Sequence, residues 1–109
     1  MSSPYSIIIP IHNEINVIEE LLDSLKKYSK SGHEIIIIDD GSHDGSESVI
    51  LKSNYNFVKK IILKTNQGKG VAIKKGVLEA SHNKIIIFDG DMELDPKDIN
   101  KLMILDKKK

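Results

Sequence analysis

The chain contains no cysteine, which excludes disulfides and thiolate metal sites and agrees with a reducing compartment such as the cytoplasm. It has no surplus of charge: 16 Lys plus Arg stand against 16 Asp plus Glu. No global field therefore steers it toward nucleic acid or an anionic membrane, and partners must be chosen locally. Long hydrophobic runs are also missing. The N-terminal Met1-Ser2-Ser3-Pro4-Tyr5-Ser6 has no basic leader region, the apolar stretch after it breaks at Pro10, and no later run approaches the roughly 20 residues that span a bilayer. There is no internal repeat, and the only low-complexity stretch is the Lys107 to Lys109 tail. With 109 residues, the chain has room for a single domain, 1–109, or part of one.

Four apolar runs are present: Ser6 to Ile11, Glu34 to Ile38, Val58 to Leu63 and Ile85 to Phe88. Three are Ile-rich and nearly continuous, as parallel strands covered on both faces are, whereas Val58 to Leu63 carries Lys59 and Lys60 and reads as an edge strand. Helical spacing fills the gaps. Ile15, Ile18, Leu21, Leu22, Leu25 and Tyr28 recur at three and four residues, with Asn16 and Glu19 as candidate caps and Gly32 to close the end. A short helix is expected from about Gly45 to Ser53, capped by Asp44 or Ser46. A third runs from about Lys69 to Ser81 with Val71, Ala72, Val77, Leu78 and Ala80 on its apolar side. A fourth starts with Asp95 as cap and Pro96 in the first turn, presenting Ile99, Leu102 and Met103. The alternation βαβαβαβα predicts an α/β fold: a Rossmann-like parallel sheet with right-handed crossovers and helices on both faces.

In such sheets ligands bind beyond the carboxyl ends of the strands. The unusual residues fall there: Pro10-Ile11-His12-Asn13-Glu14, Asp39-Asp40-Gly41-Ser42-His43-Asp44-Gly45-Ser46, Asn66-Gln67-Gly68-Lys69-Gly70, and Asp89-Gly90-Asp91 with Glu93. Asp89, Asp91 and Glu93 stand at alternate positions after a strand, so they form either a cluster for a hard cation such as Mg2+ or Mn2+ or an acidic loop capping the next helix. Asp39-Asp40 reads as a turn and cap, or as acceptors for a base or ribose. Gly68-Lys69-Gly70 would let a phosphate approach backbone N–H groups. Several chemistries are disfavoured. No Ser or Thr follows Lys69, so the loop is not that of a P-loop ATPase. His12, His33, His43 and His82 show no metal-ligand spacing, and His33 and His82 read as surface residues. Ser42 and Ser46 have no base and orienter for nucleophilic chemistry. A phosphoacceptor domain would carry its acidic pair after the first strand, not the second.

Taken in order, Ile7-Ile8-Ile9-Pro10-Ile11-His12-Asn13-Glu14, Ile37-Ile38-Asp39-Asp40-Gly41-Ser42, Asn66-x-Gly68-Lys69-Gly70 and Phe88-Asp89-Gly90-Asp91-x-Glu93-x-Asp95-Pro96 resemble the N-terminal half of family 2 glycosyltransferases of the GT-A fold. The last segment is most similar to the branch acting on polyprenyl phosphates, such as dolichol-phosphate mannose synthase-like enzymes. The resemblance implies a UDP- or GDP-sugar donor and a lipid-phosphate or saccharide acceptor, with a cytoplasmic location at the membrane face. Pro10, His12 and Glu14 would line the nucleoside pocket, His12 replacing the family's usual aromatic residue. Asp39 with Asp40 would bond the base, Asn66, Gly68, Lys69 and Gly70 would border the ribose and diphosphate together with Asp89 and Gly90, and Asp89 and Asp91 with Glu93 would hold the metal. Ser81-His82-Asn83-Lys84 stands where the family often has Gly-Asp, which leaves Asn83 to supply any left-handed turn. The family continues past this point with the acceptor site and, in inverting members, the catalytic base. The chain therefore reads as a truncated domain in which no catalytic base is assigned, with a non-catalytic nucleotide-binding module as the alternative. A half-domain would also expose one side of the sheet at its first and fourth strands, so the chain alone is expected to be unstable or to self-associate.

Overall fold

A computed structural model describes residues 4–52, 55–88 and 104–106. Its elements are β1 (Tyr5–Ile11), α1 (Ile18–Lys30), β2 (Glu34–Asp40), α2 (Ser46–Ile50), β3 (Val58–Leu63), α3 (Lys69–Glu79), β4 (Lys84–Ile87) and β5 (Ile104–Asp106). The sheet order is β3-β2-β1-β4-β5, the first four strands parallel and β5 antiparallel to β4. Strand order reverses at β1, because β2 and β3 lie to one side and β4 to the other. The fourth helix expected from Asp95 lies outside the described residues.

Alternation along the Ile-rich strands sorts the core into two layers. Ile7, Ile9, Ile35, Ile37, Ile86 and Phe88 pack with Leu21, Leu22 and Leu25 of α1 and with Val49 and Ile50 of α2. Ile8, Ile36, Ile38 and Ile85 pack with Ala72 and Ala80 on the α3 side. Helix α3 lies close to the sheet, since a methyl group on Gly76 would come within 2.7 Å of Ile8 Cγ2 and Ile38 Cδ1. Val71 and Leu78, expected on its apolar side, instead face outward at 38% and 69% exposure. Small Ala72 and Gly76 take the inner face because only they allow that approach.

Several local expectations are corrected. Val17 occupies the cap position of α1 with no side-chain cap, so neither Asn16 nor Glu19 fills that role. Gly45, at φ +97°, precedes α2, and the helix stops at Ile50 rather than Ser53. Among the described residues Asn13 is the non-glycine with positive φ, so Asn83 makes no left-handed turn. β3 is the edge strand its lysines indicated, whereas the flank beside β4 is paired with β5 through Lys84–Asp106, Ile85–Leu105 and Ile86–Ile104. That pairing carries the sheet one strand beyond β4. Among the described residues no helix is long and apolar enough to cross a membrane.

The amino ends of the strands are closed by Glu34. Its carboxylate accepts the Ser6 hydroxyl at 2.6 Å and the Ser81 N–H and hydroxyl at 2.8 and 3.0 Å, and it pairs with Lys59 at 3.0 Å. Burial raises this carboxyl, but the bonds from Ser6, Ser81 and Lys59 outweigh it and bring it down to about 2. Beside it His33, read as a surface residue, is half-buried, stacks on Tyr5 at 5.1 Å and accepts the Tyr5 N–H through Nδ1. Burial, then the neighbouring His82, lowers its pKa. A carboxyl depressed in the folded state gives stability that is complete above its unfolded value near 4.5 and is lost as the pH falls toward 2. We expect Glu34→Gln to cost about 1–3 kcal/mol at neutral pH and to flatten the loss of stability between those limits, as read from urea melts at a series of pH values.

Candidate nucleotide cleft

At the opposite end of the sheet, the loops leaving β1, β2 and β3 enclose a cleft of about 300 Å³ lined by Pro10, Ile11, His12, Glu14, Asp40, Asn66, Gly68 and Lys69. Seven of the residues singled out in the sequence thus come together. Asp39 does not join them. It is buried, falls on the same sheet side as Ile37 by alternation, and accepts the Ser42 N–H at 3.0 Å. Gly70 sits in the first turn of α3, outside the lining. Asp89, Gly90, Asp91 and Glu93 lie outside the described residues. Among the described residues no group of three or more His, Cys, Asp and Glu side chains could hold a metal ion.

Asp40, at 4% exposure, anchors the cleft. Its Oδ1 accepts the Gln67 N–H at 2.7 Å and its Oδ2 the Gly68 N–H at 2.9 Å, while its backbone carbonyl lies 2.7 Å from His12 Nδ1. A buried carboxylate needs such donors, and here they hold the β3–α3 turn against the end of β2. Gly41, at φ +68°, lets the chain pass directly beneath Thr65 and Asn66, whose backbone a methyl group would strike.

The β1–α1 loop is held by the β2–α2 loop. Asn13 N–H donates to Ser42 Oγ at 2.8 Å, and His43 N–H returns a bond to Asn13 Oδ1 at 2.8 Å. Glu14 N–H donates to Ser46 Oγ at 3.1 Å and Ile15 N–H to Asp44 Oδ2 at 3.0 Å. Asp44 Oδ1 in turn accepts the N–H and hydroxyl of Ser46 at 3.0 and 2.6 Å. Burial raises the Asp44 carboxyl, yet the Ser46 hydroxyl and the N–H groups of Ile15 and Ser46 outweigh it and keep it below the ordinary carboxylate range. The N–H groups of Asn13, Glu14 and Ile15, in the loop ahead of α1, are therefore satisfied from another loop. Sequence reading offered Asp44 and Ser46 only as caps of the helix that follows them. The available signal was the density of short polar side chains in Ser42-His43-Asp44-Gly45-Ser46.

A second hollow, about 360 Å³, lies at the amino end and is lined by Glu34, Ile35, Asn56, Phe57, Val58 and Lys59. Its two charged groups, Glu34 and Lys59, are paired with each other.

A sheet in the order 3-2-1-4, with helices on both faces, is the Rossmann-like α/β architecture of the glycosyltransferase A fold, which the chain shares with solved glycosyltransferase structures. The Glycosyl transferase family 2 profile matches residues 6–105, and the chain belongs to that family. It is 35% identical to the dolichyl-phosphate beta-glucosyltransferase of Dictyostelium discoideum over an alignment of 109 positions that takes in 89% of this chain and 33% of that protein. Among solved structures it resembles Staphylococcus aureus TarS 1-349 in complex with UDP, with TM-score 0.69 and 28% identity over 82% of this chain and 28% of that one. It also resembles the mannosyltransferase PcManGT of Pyrobaculum calidifontis in complex with GDP-Man and Mn2+, with TM-score 0.68 and 25% identity over 80% and 27%. The chain spans about one third of the length of the curated relatives it matches.

Gly41→Ala is expected to destabilise the chain by about 2 kcal/mol or more, summing left-handed strain and a backbone clash. Gly45→Ala, where a methyl group would meet only Ile15 Cδ1 at 3.7 Å, should cost about half as much. Thermal melts of the two variants check the ordering.

Proposed function

We propose that this chain supplies the donor-binding part of a divalent-metal-dependent glycosyltransferase, which takes a sugar from a UDP- or GDP-sugar and passes it to an acceptor of the polyprenyl-phosphate class. The observation that carries this reading is the cleft, placed where strand order reverses and built from Asp40, His12, Asn66 and Lys69 in a family 2 chain. The UDP and GDP-Man complexes of its structural neighbours support the donor class, and the dolichyl-phosphate relative supports the acceptor class and a location at a membrane face.

The roles follow from chemistry. The Asp40 carboxylate retains lone pairs beyond the two engaged by the turn, so it accepts an N–H from the base edge, the feature uracil and guanine share. His12 and Pro10 form an apolar wall beside it. Gly68, at φ +99° at the start of α3, gives a diphosphate access to the helix N-terminus, where backbone N–H groups and Lys69 meet negative charge. Asp89 and Asp91, with Glu93, offer the carboxylate oxygens a hard cation requires. When bound, that ion would neutralise charge on the departing nucleoside diphosphate. In the transfer, an acceptor oxygen bonds to the anomeric carbon as the bond from that carbon to the diphosphate breaks and its electron pair leaves with the nucleotide. A phosphate acceptor brings its own anionic oxygen. The same cleft on a chain that binds donor without transferring sugar is the alternative, and the chain's one-third span of its relatives keeps that reading in view.

Calorimetric titration separates these. UDP or GDP should bind with Mn2+ present, at least about tenfold more weakly without it and at least about tenfold more weakly to Asp40→Ala. Asp91→Asn should abolish the Mn2+ dependence. Binding without sugar transfer or hydrolysis would select the alternative, and failure of both nucleotides to bind would overturn the proposal.

A further inference from the structure

His12 has both ring nitrogens engaged within the protein, and their partners dictate its tautomer. Nδ1 lies 2.7 Å from the Asp40 carbonyl oxygen, which can only accept, so Nδ1 carries the hydrogen. Nε2 lies 3.0 Å from Asn66 Nδ2 and 3.2 Å from Asn13 Nδ2. The orientation of each amide is set by a bond outside the ring: Asn13 Oδ1 accepts the His43 N–H at 2.8 Å, and Asn66 Oδ1 shares the Gly68 N–H, at 3.1 Å, with Asp40 Oδ2 at 2.9 Å. Each side chain therefore turns its NH2 group toward Nε2, which must be the acceptor. The backbone of Asn13 is held at φ +55°, a conformation Asn tolerates better than most residues, with its N–H on Ser42 Oγ.

We propose that Asn13 and Asn66 are positioning residues that lock His12 in its Nδ1–H tautomer, so that the imidazole serves the cleft as a neutral flat wall, meeting a nucleobase by its face. The stacking half of this proposal rests on the nucleotide reading above; the tautomer half does not. With its N–H and its lone pair both committed, His12 moves no proton in the reaction, and its ring faces remain for contact. The two asparagines come from different loops, so the ring also ties the turn after β3 to the loop after β1.

The test uses chain labelled with 15N at histidine. In the ligand-free protein, at a pH where His12 is neutral, the His12 ring should give the Nδ1–H pattern. Asn13→Asp and Asn66→Asp each keep the oxygen that accepts the His43 or Gly68 N–H but turn a second oxygen toward Nε2. With acceptors then at both ring nitrogens, the double variant should hold the ring in the doubly protonated form at that same pH, while the His43 and Gly68 amide resonances report that the fold survives. A wild-type ring with hydrogen on Nε2, or a ring unchanged in the double variant, overturns the lock. In titrations with UDP and GDP, the double variant should bind the preferred nucleotide about tenfold more weakly, and His12→Phe in that background should recover most of the loss, because a phenyl face needs no tautomer. No recovery overturns the stacking role. A wild-type chain that shows the expected tautomer but binds neither nucleotide overturns the nucleotide reading and the stacking role together, leaving the lock standing.

Discussion

The cleft depends on one buried carboxylate. Asp40 ends the fully buried stretch of β2, and its charge is tolerated there because the Gln67 and Gly68 N–H groups point into it at 2.7 and 2.9 Å. That contact sets the turn after β3, and with it the start of α3, Gly68 and Lys69. The carbonyl of the same residue sets His12. Remove the carboxylate, and the Gln67 N–H loses its acceptor, the Gly68 N–H keeps only Asn66 Oδ1, and the cleft loses one wall.

A division of labour runs along the strands. At the amino ends the polar groups are spent on one another: Glu34 gathers Ser6, Ser81 and Lys59, and His33 takes the Tyr5 N–H. At the carboxyl ends the polar groups hold loops in place but keep faces and lone pairs turned to an open cleft of about 300 Å³. Glu14 and His12 are presented by bonds that come from Ser42, Asp44 and Ser46, none of which line the cleft. The Asp-Asp-Gly-Ser segment is thus mainly a fastening for the loop opposite it, with Asp40 alone reaching the cavity.

The strands were legible because continuous Ile runs permit few other solutions, and the cleft because its residues follow strands in sequence. What escaped was non-local. The loop leading into α1 is fastened by Asp44 and Ser46 from 29 and 32 residues away, which no local capping rule detects. Asp39 and Asp40 look equivalent in sequence, yet strand alternation turns one under the sheet and the other into the cleft. Val71 and Leu78 were assigned inward on hydrophobicity, whereas the close approach of α3 to Ile8 and Ile38 selects Ala72 and Gly76. β5 has three residues beside a Lys-rich tail, too short to show a period.

The central claim is that a nucleoside diphosphate occupies the carboxyl-end cleft. Backbone amide chemical shifts of the chain, followed while UDP or GDP is added with Mg2+, test it most directly. The account predicts saturable changes concentrated at His12, Asp40, Gln67, Gly68 and Lys69, with Glu34, Phe57 and Lys59 unmoved. Changes centred on Glu34, Phe57 and Lys59 instead, or none at all at millimolar nucleotide, would contradict it.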